Sequence, residues 1–292
     1  MPLLDGLAHS PAFLAFAVLL LGLCVGSFLN VVVHRLPQML ERDWRRECRS
    51  LLALEPAAED LPLSLSLVRP GSRCPACQTP IRPWHNIPVL SWLWLRGRCA
   101  SCQARISAQY PLVEAITGAL SVCCALKFGW TPALGAALVL TWTLIALTVI
   151  DLRTQLLPDS LTLPLLWLGL LLSVQGTFVR PVPSIVGAAA GYLSLWGVYH
   201  VFRMVTGKEG MGYGDFKLLA ALGAWFGWQA LPMIVLLSSV AGAVVGLGLI
   251  LLRGHDRNVP IPFGPYLAIA GWIVLMGGKE LGQLWLRLTL PA

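Results

Sequence analysis

An all-α polytopic membrane protein is the fold class this sequence predicts, and three observations predict it. Among 292 residues 57% are hydrophobic and only 12% charged, with a mean hydropathy of +0.72, whereas soluble domains run near a quarter charged. The apolar residues gather into runs the length of a spanning helix, which needs about 20 mostly apolar residues. Charge collects instead in one stretch between the first run and the second.

Eight runs fit that description: roughly 13 to 34, 109 to 126, 131 to 150, 160 to 177, 184 to 203, 216 to 229, 231 to 252 and 264 to 284. The sixth is short and rich in Gly and Ala, so its ends are the least defined. Before the first run there is no basic region, no convincing cleavage site and only one charge, Asp5, so it reads as a retained helix and not a removed signal peptide. The expected organisation is a first transmembrane helix within 1–35, a cytosolic loop domain at 36–108 and a seven-helix membrane core at 109–292.

Basic residues set the orientation. With the N-terminus outside, seventeen Lys and Arg face the cytoplasm: Arg35, the ten arginines between 42 and 105, Arg153, Arg203, Lys208, Lys217, Arg253 and Arg257. Only Lys127, Arg180, Lys279 and Arg287 fall on the outer side. The pI near 9.2 is then a sorting signal, and no nucleic-acid partner is inferred from it.

This topology brings scattered acids to one face. Asp151 ends the third span as it reaches the cytoplasm, Asp215 begins the sixth after the fifth has returned there, and Asp159 opens the fourth on the same side. An acid at the edge of hydrocarbon is costly and therefore points to function. Glycines at 212 and 214 let the chain bend beside Asp215 and leave room for an extended peptide. Asp215 itself falls in a first helical turn, where the dipole favours a negative charge. A capping role would account for either acid alone; for the two together, catalysis is the better reading. Asp159, after Pro158, is expected as an N-cap.

Two close carboxylates in a poorly solvated site resist double ionisation, so such a pair shares a proton. One can activate water while the other stabilises the oxyanion. Transporter acids would instead be expected near mid-membrane within inverted repeats.

The loop has its own pattern, Cys74-Pro-Ala-Cys77 and Cys99-Ala-Ser-Cys102. Two CxxC pairs at this separation read as a structural zinc site, since four thiolates complete a tetrahedral shell and staple a loop too small for a core. Redox or disulfide chemistry and unused thiols are the alternatives, and a cytosolic location disfavours lasting disulfides. Cys24, Cys123 and Cys124 are expected as packing residues, and Cys48 as free. ERDWRREC, with Trp44, reads either as a short amphipathic helix on the membrane surface or as a solvated face. Gly22 with Gly26, and Gly187 with Gly191, have the spacing of close helix packing. Asn30 reads as a bond across helices, and Glu114 as a structural anchor or a substrate contact.

Taken together, the residues resemble the type IV prepilin peptidases, membrane aspartyl proteases of the GxGD class. The likeness runs through GSFLNVVVHR at 26–35, the four-cysteine segment at 72–102, ARISAQYPLVEAITG at 104–118, DLRTQLLPDSLTLP at 151–164, GMGYGDFKLLAALGAW at 210–225 and PIPFGPYLAIAG at 260–271. The resemblance implies cleavage of basic leader peptides from type IV prepilins and type II secretion pseudopilins, at the cytoplasmic face of a bacterial inner membrane, with Asp151 and Asp215 as catalytic residues. The retained cysteine loop implies the bifunctional form, which then methylates the new N-terminal amine, usually of phenylalanine, with S-adenosylmethionine. A peptidase without methyl transfer is the alternative.

No glycine-rich nucleotide fingerprint is present, so the methyl donor's contacts are open, with Asn86, Trp92 and Glu114 as candidates. Anionic lipids are partners that can assist in recognising the basic leader. The segment at about 40 to 70, with LEPAAEDLPL, departs from the family's pattern, and no activity is attached to it.

Overall fold

A computed structural model describes residues 10–54, 65–208, 210–253 and 262–289. Most of LEPAAEDLPL, Asp5 and Arg257 lie outside the described residues, as do the side chains of Arg253, Lys279 and Arg287. Among the described residues the regular secondary structure is helical apart from two isolated β-bridges, with turns and irregular chain making up most of the loop from 65 to 108, and the chain divides into two compact units, 1–134 and 135–292.

In the first unit, α1 (Pro11–Leu51) opens on Ser10, whose hydroxyl accepts the Phe13 amide at 3.1 Å, with Pro at the first helical position. Its 41 residues span about 60 Å at 1.5 Å per residue, twice a bilayer's hydrocarbon core of ~30 Å. The charged half therefore projects from the apolar half. ERDWRREC is not a separate surface helix; it continues α1, its exposed face laced by the Glu41–Arg45 and Asp43–Arg46 pairs.

Helix α3 (Gln109–Phe128) packs on α1. A Cβ on Gly22 would sit 2.7 Å from Ser121 Oγ, and one on Gly26 2.7 Å from Glu114 Cα. The paired glycines thus permit backbone contact that any side chain would block. Asn30 crosses the same seam, its Nδ2 donating to the Tyr110 carbonyl at 3.0 Å. Between α1 and α3 the loop holds a 3-10 turn (Pro83–Asn86) and the short α2 (Leu90–Trp94).

The second unit contains α4 (Pro132–Thr154, which begins just before the boundary), α5 (Asp159–Val174), α6 (Pro181–Thr206), α7 (Tyr213–Phe226), α8 (Leu231–Arg253) and α9 (Gly264–Thr289). Each of the eight apolar runs is helical. Among the described residues, five helical segments are long and apolar enough to cross a membrane: α1, α3, α4, α6 and Trp228–Leu249; α5 and Gly264–Gly278 are shorter apolar helices.

Helix α7 is the buried centre of this unit. Asp215, Phe216 and every residue from Leu218 to Trp225 are buried, against α5, α6, α8 and α9. Fourteen residues reach only about 21 Å, and the all-round apolar surface is that of a helix enclosed by others.

Small residues again set the closest approach. A Cβ on Gly187 of α6 would collide with the Gly223 carbonyl, and one on Gly191 would lie 2.6 Å from the Leu219 carbonyl oxygen. Ser184 donates to the Ala224 carbonyl at 2.6 Å, and the Trp225 indole to that of Leu165 at 2.8 Å. Gly169 makes room for Trp225, since a Cβ there would be 2.5 Å from the ring.

Candidate active site

Asp151 occupies the last turn of α4 and Asp215 the first turn of α7, and both are buried. The two carboxylates are close enough to interact electrostatically, although 64 positions separate them in sequence. Asp151 Oδ2 accepts the Gly264 amide at 3.0 Å, from the start of α9. Asp215 Oδ1 is buried with no hydrogen-bond partner among the described residues. A buried carboxylate oxygen left unpaired is costly, and its natural complement is water or a substrate group.

Leu157, in the connection from α4 to α5, holds these segments together. A Cβ on Gly214 would be 2.7 Å from Leu157 Cβ; one on Gly264 would be 3.1 Å from its methyls and 2.6 Å from Asp151 Oδ2. The two glycines of the GxGD stretch therefore differ in purpose. Gly214 is required by packing. Gly212, in extended backbone, is not crowded: a Cβ placed there would make only ordinary contacts, with Asp215 Oδ2 at 3.8 Å.

Asp159 is not an N-cap. The cap position is Pro158, Asp159 is the first helical residue, and its carboxylate pairs with Lys217 Nζ at 2.7 Å through both oxygens. A lysine two residues beyond Asp215 engages it, tying the start of α5 to α7. Around the start of α7, Tyr213 and Phe216 stack with Tyr199 of α6. Gly264 and Leu157 were not singled out from sequence. The signal was their place in two of the quoted motifs, PIPFGPYLAIAG and DLRTQLLPDSLTLP, but no spacing rule joins them to an acid.

In the first unit the four cysteine Sγ atoms, of Cys74, Cys77, Cys99 and Cys102, lie within 4.8 Å of one another. Each CxxC is a matching knuckle. The Cys74 amide donates to Thr79 O and the Cys99 amide to Ala104 O, at 3.1 and 2.9 Å, while Gln78 and Gln103 turn the chain at φ 57° and 59°. Thiolates about 2.3 Å from a tetrahedral zinc stand roughly 3.8 Å apart, and Cys74 and Cys102 are separated by 3.8 Å. The donor set thus fits a closed metal shell.

Hydrogen bonding with the Thr79 side chain and backbone lowers the Cys77 thiol to about 6. The Ala104 amide favours the Cys102 thiolate, but the Cys77 thiol, burial and the other sulfurs outweigh it and push Cys102 up to about 11. Four sulfurs so gathered are able to hold a cation.

Of the other cysteines, Cys124 is buried and Cys123 partly so, as expected of packing residues. Cys24 instead lies on the exposed face of α1, and Cys48 is free and exposed. Glu114 is an anchor: its Oε2 accepts the Val89 amide at 2.7 Å, and it bonds Ser27 of α1. Trp92 donates to the Ile106 carbonyl at 3.2 Å, and Asn86 is exposed on the 3-10 turn.

The architecture is an all-α, membrane-spanning one with two buried aspartates at neighbouring helix ends and a four-cysteine loop. Residues 20–128 match the bacterial peptidase A24 N-terminal domain and residues 138–247 the type IV leader peptidase family. The prepilin leader peptidase/N-methyltransferase of Aeromonas hydrophila is 58% identical over 98% of this chain and 99% of its own length. Its namesakes in Pseudomonas aeruginosa and Dichelobacter nodosus are 55% and 50% identical, over 98% and 92% of this chain and 98% and 94% of theirs. No solved structure matches. The chain belongs to the type IV leader peptidase family.

Proposed function

We propose that this chain removes the basic leader peptide from type IV prepilins and type II secretion pseudopilins, then N-methylates the exposed residue, usually phenylalanine, with S-adenosylmethionine. Both steps belong at the cytoplasmic face of the bacterial inner membrane. One observation carries the peptidase reading: Asp151 and Asp215, from separate helix ends, are both buried and close enough to interact, and one carboxylate oxygen has no partner among the described residues.

Asp151 is oriented by the Gly264 amide, and Asp215 by the turn that Gly212 and Gly214 allow. In the proposed reaction the pair shares one proton. The ionised member takes a proton from water as its oxygen attacks the scissile carbonyl, and the protonated member donates to the developing oxyanion. Return of a proton to the leaving amine breaks the C–N bond. Space beside Gly212 admits the substrate strand at the helix ends, the depth at which a prepilin's apolar helix would present its scissile bond.

Zinc held by Cys74, Cys77, Cys99 and Cys102 is the structural metal this reading implies. With four sulfur ligands such a zinc would have no open position for water, so it would staple the loop and take no part in hydrolysis.

The test is to incubate the purified protein in lipid with a prepilin and S-adenosylmethionine, and to read the product by mass. Loss of the leader plus one methyl group is the expected result. A product cleaved but never methylated would remove the second activity, and an intact substrate would remove both.

A further inference from the structure

From 65 to 108 the loop between α1 and α3 carries six arginines, at 69, 73, 82, 96, 98 and 105, all exposed, and no Asp or Glu. Bare apolar side chains accompany them: Trp94 is 78% exposed, Leu90 65% and Leu93 58%. A water-facing loop does not leave such surface open. Leu90, Leu93 and Trp94 stand at i, i+3 and i+4 on α2 and so share one face. Trp92 turns the other way, donating to the Ile106 carbonyl and packing against Gly97, which decides the face that is left out.

Depth follows from a single bond. Val89, immediately before α2, donates its amide to Glu114 Oε2 at 2.7 Å. Glu114 lies five residues beyond Gln109, where α3 starts, or about 7.5 Å along its axis. Leu112 and Ile116, which bracket Glu114, are themselves exposed on a helix apolar enough to cross a membrane. Helix α2 therefore begins level with apolar surroundings, not above them.

We propose that α2 and the arginines around it form a membrane-docking surface, resting on anionic lipid headgroups with Leu90, Leu93 and Trp94 in the acyl boundary. Tryptophan and leucine on one face with arginine beside them is the make-up of an interfacial helix. The arginines meet lipid phosphates, to which their planar donors are matched. Charge also argues against the proposed substrate as occupant, because a basic leader is repelled by six arginines with no acid among them. Docking would hold the cysteine-bearing loop flat against the bilayer in which α1 and α3 are anchored.

The test places a photocrosslinker, p-benzoylphenylalanine, at Leu93 or Trp94 of the full-length protein, with Ser101 on the cysteine knuckle as control. The proteins are reconstituted in vesicles of phosphatidylcholine with or without phosphatidylglycerol. Lipid adducts at 93 and 94 should exceed those at 101 by about fivefold or more in the anionic vesicles, and that ratio should fall when the anionic lipid is left out. Equal yields at all three positions, or adducts to protein alone, would overturn the proposal; a ratio indifferent to phosphatidylglycerol would overturn its electrostatic half. Hydrogen exchange on the unmodified protein gives a second reading free of substitution: amides of 84–96 should exchange several-fold more slowly in anionic than in neutral vesicles, and equal rates would count against docking.

Discussion

Glu114 in the first unit and Asp215 in the second are both buried acids in apolar helices, and their hydrogen bonding differs in a way that fits the opposite uses proposed for them. Glu114 is satisfied, accepting from the Val89 amide and bonding Ser27, so it ties a loop to two helices. Asp215 keeps a buried oxygen without a partner among the described residues and another carboxylate nearby. Burial alone therefore does not mark a reactive acid. The distinction lies in whether the fold has already met its hydrogen-bonding capacity.

The most severe way to break this comparison is at the proposed reactive pair. Asp151→Asn and Asp215→Asn should each lower leader cleavage on the order of a thousandfold or more, with the protein still inserted in membranes. Normal cleavage by either variant, read by product mass, rejects the assignment. Gly264→Ala comes next. Its new Cβ would meet Asp151 Oδ2 at 2.6 Å, and a displacement of about 1 Å at such a site costs roughly a hundredfold in rate. Unchanged turnover would mean that Asp151 does not need its present position.

On the first unit's side, Cys74→Ser with Cys77→Ser should remove most of the bound zinc, measured by elemental analysis, and speed proteolysis of the loop. Zinc retained at wild-type stoichiometry would dismiss the four-cysteine site. The smallest expected effect sharpens the contrast at Glu114. Glu114→Ala leaves the Val89 amide unpaired, at a cost of about 1–3 kcal/mol. Glu114→Gln keeps an acceptor and should recover most of that stability, seen in thermal unfolding and loop protection. Cleavage lost as completely in Glu114→Gln as in the aspartate variants would erase the proposed difference between the two acids.

Much of the architecture was legible because hydropathy and helix periodicity are local. Every apolar run is a helix, and the pairs Gly22 with Gly26 and Gly187 with Gly191 do mark close helix approach. Helix ends were less legible. Residues past 34 continue α1 because its charged half supports itself by i,i+4 pairing. Asp159 fits an N-cap in sequence, yet an ion pair with Lys217, 58 residues away, claims its side chain. Cys24 faces outward although its neighbours pack, because one face of a helix on the periphery of its unit is left uncovered.

By itself, then, the chain determines that it forms apolar helices, that four cysteines can share an ion, and that Asp151 and Asp215 end and begin helices at one depth. Depth can be read by counting residues along each helix. Lateral position cannot, because it depends on which side chains interlock between helices remote in sequence. Only tertiary packing brings Gly264 to Asp151 across 113 residues, inserts Leu157 between the glycines and leaves one oxygen of Asp215 open.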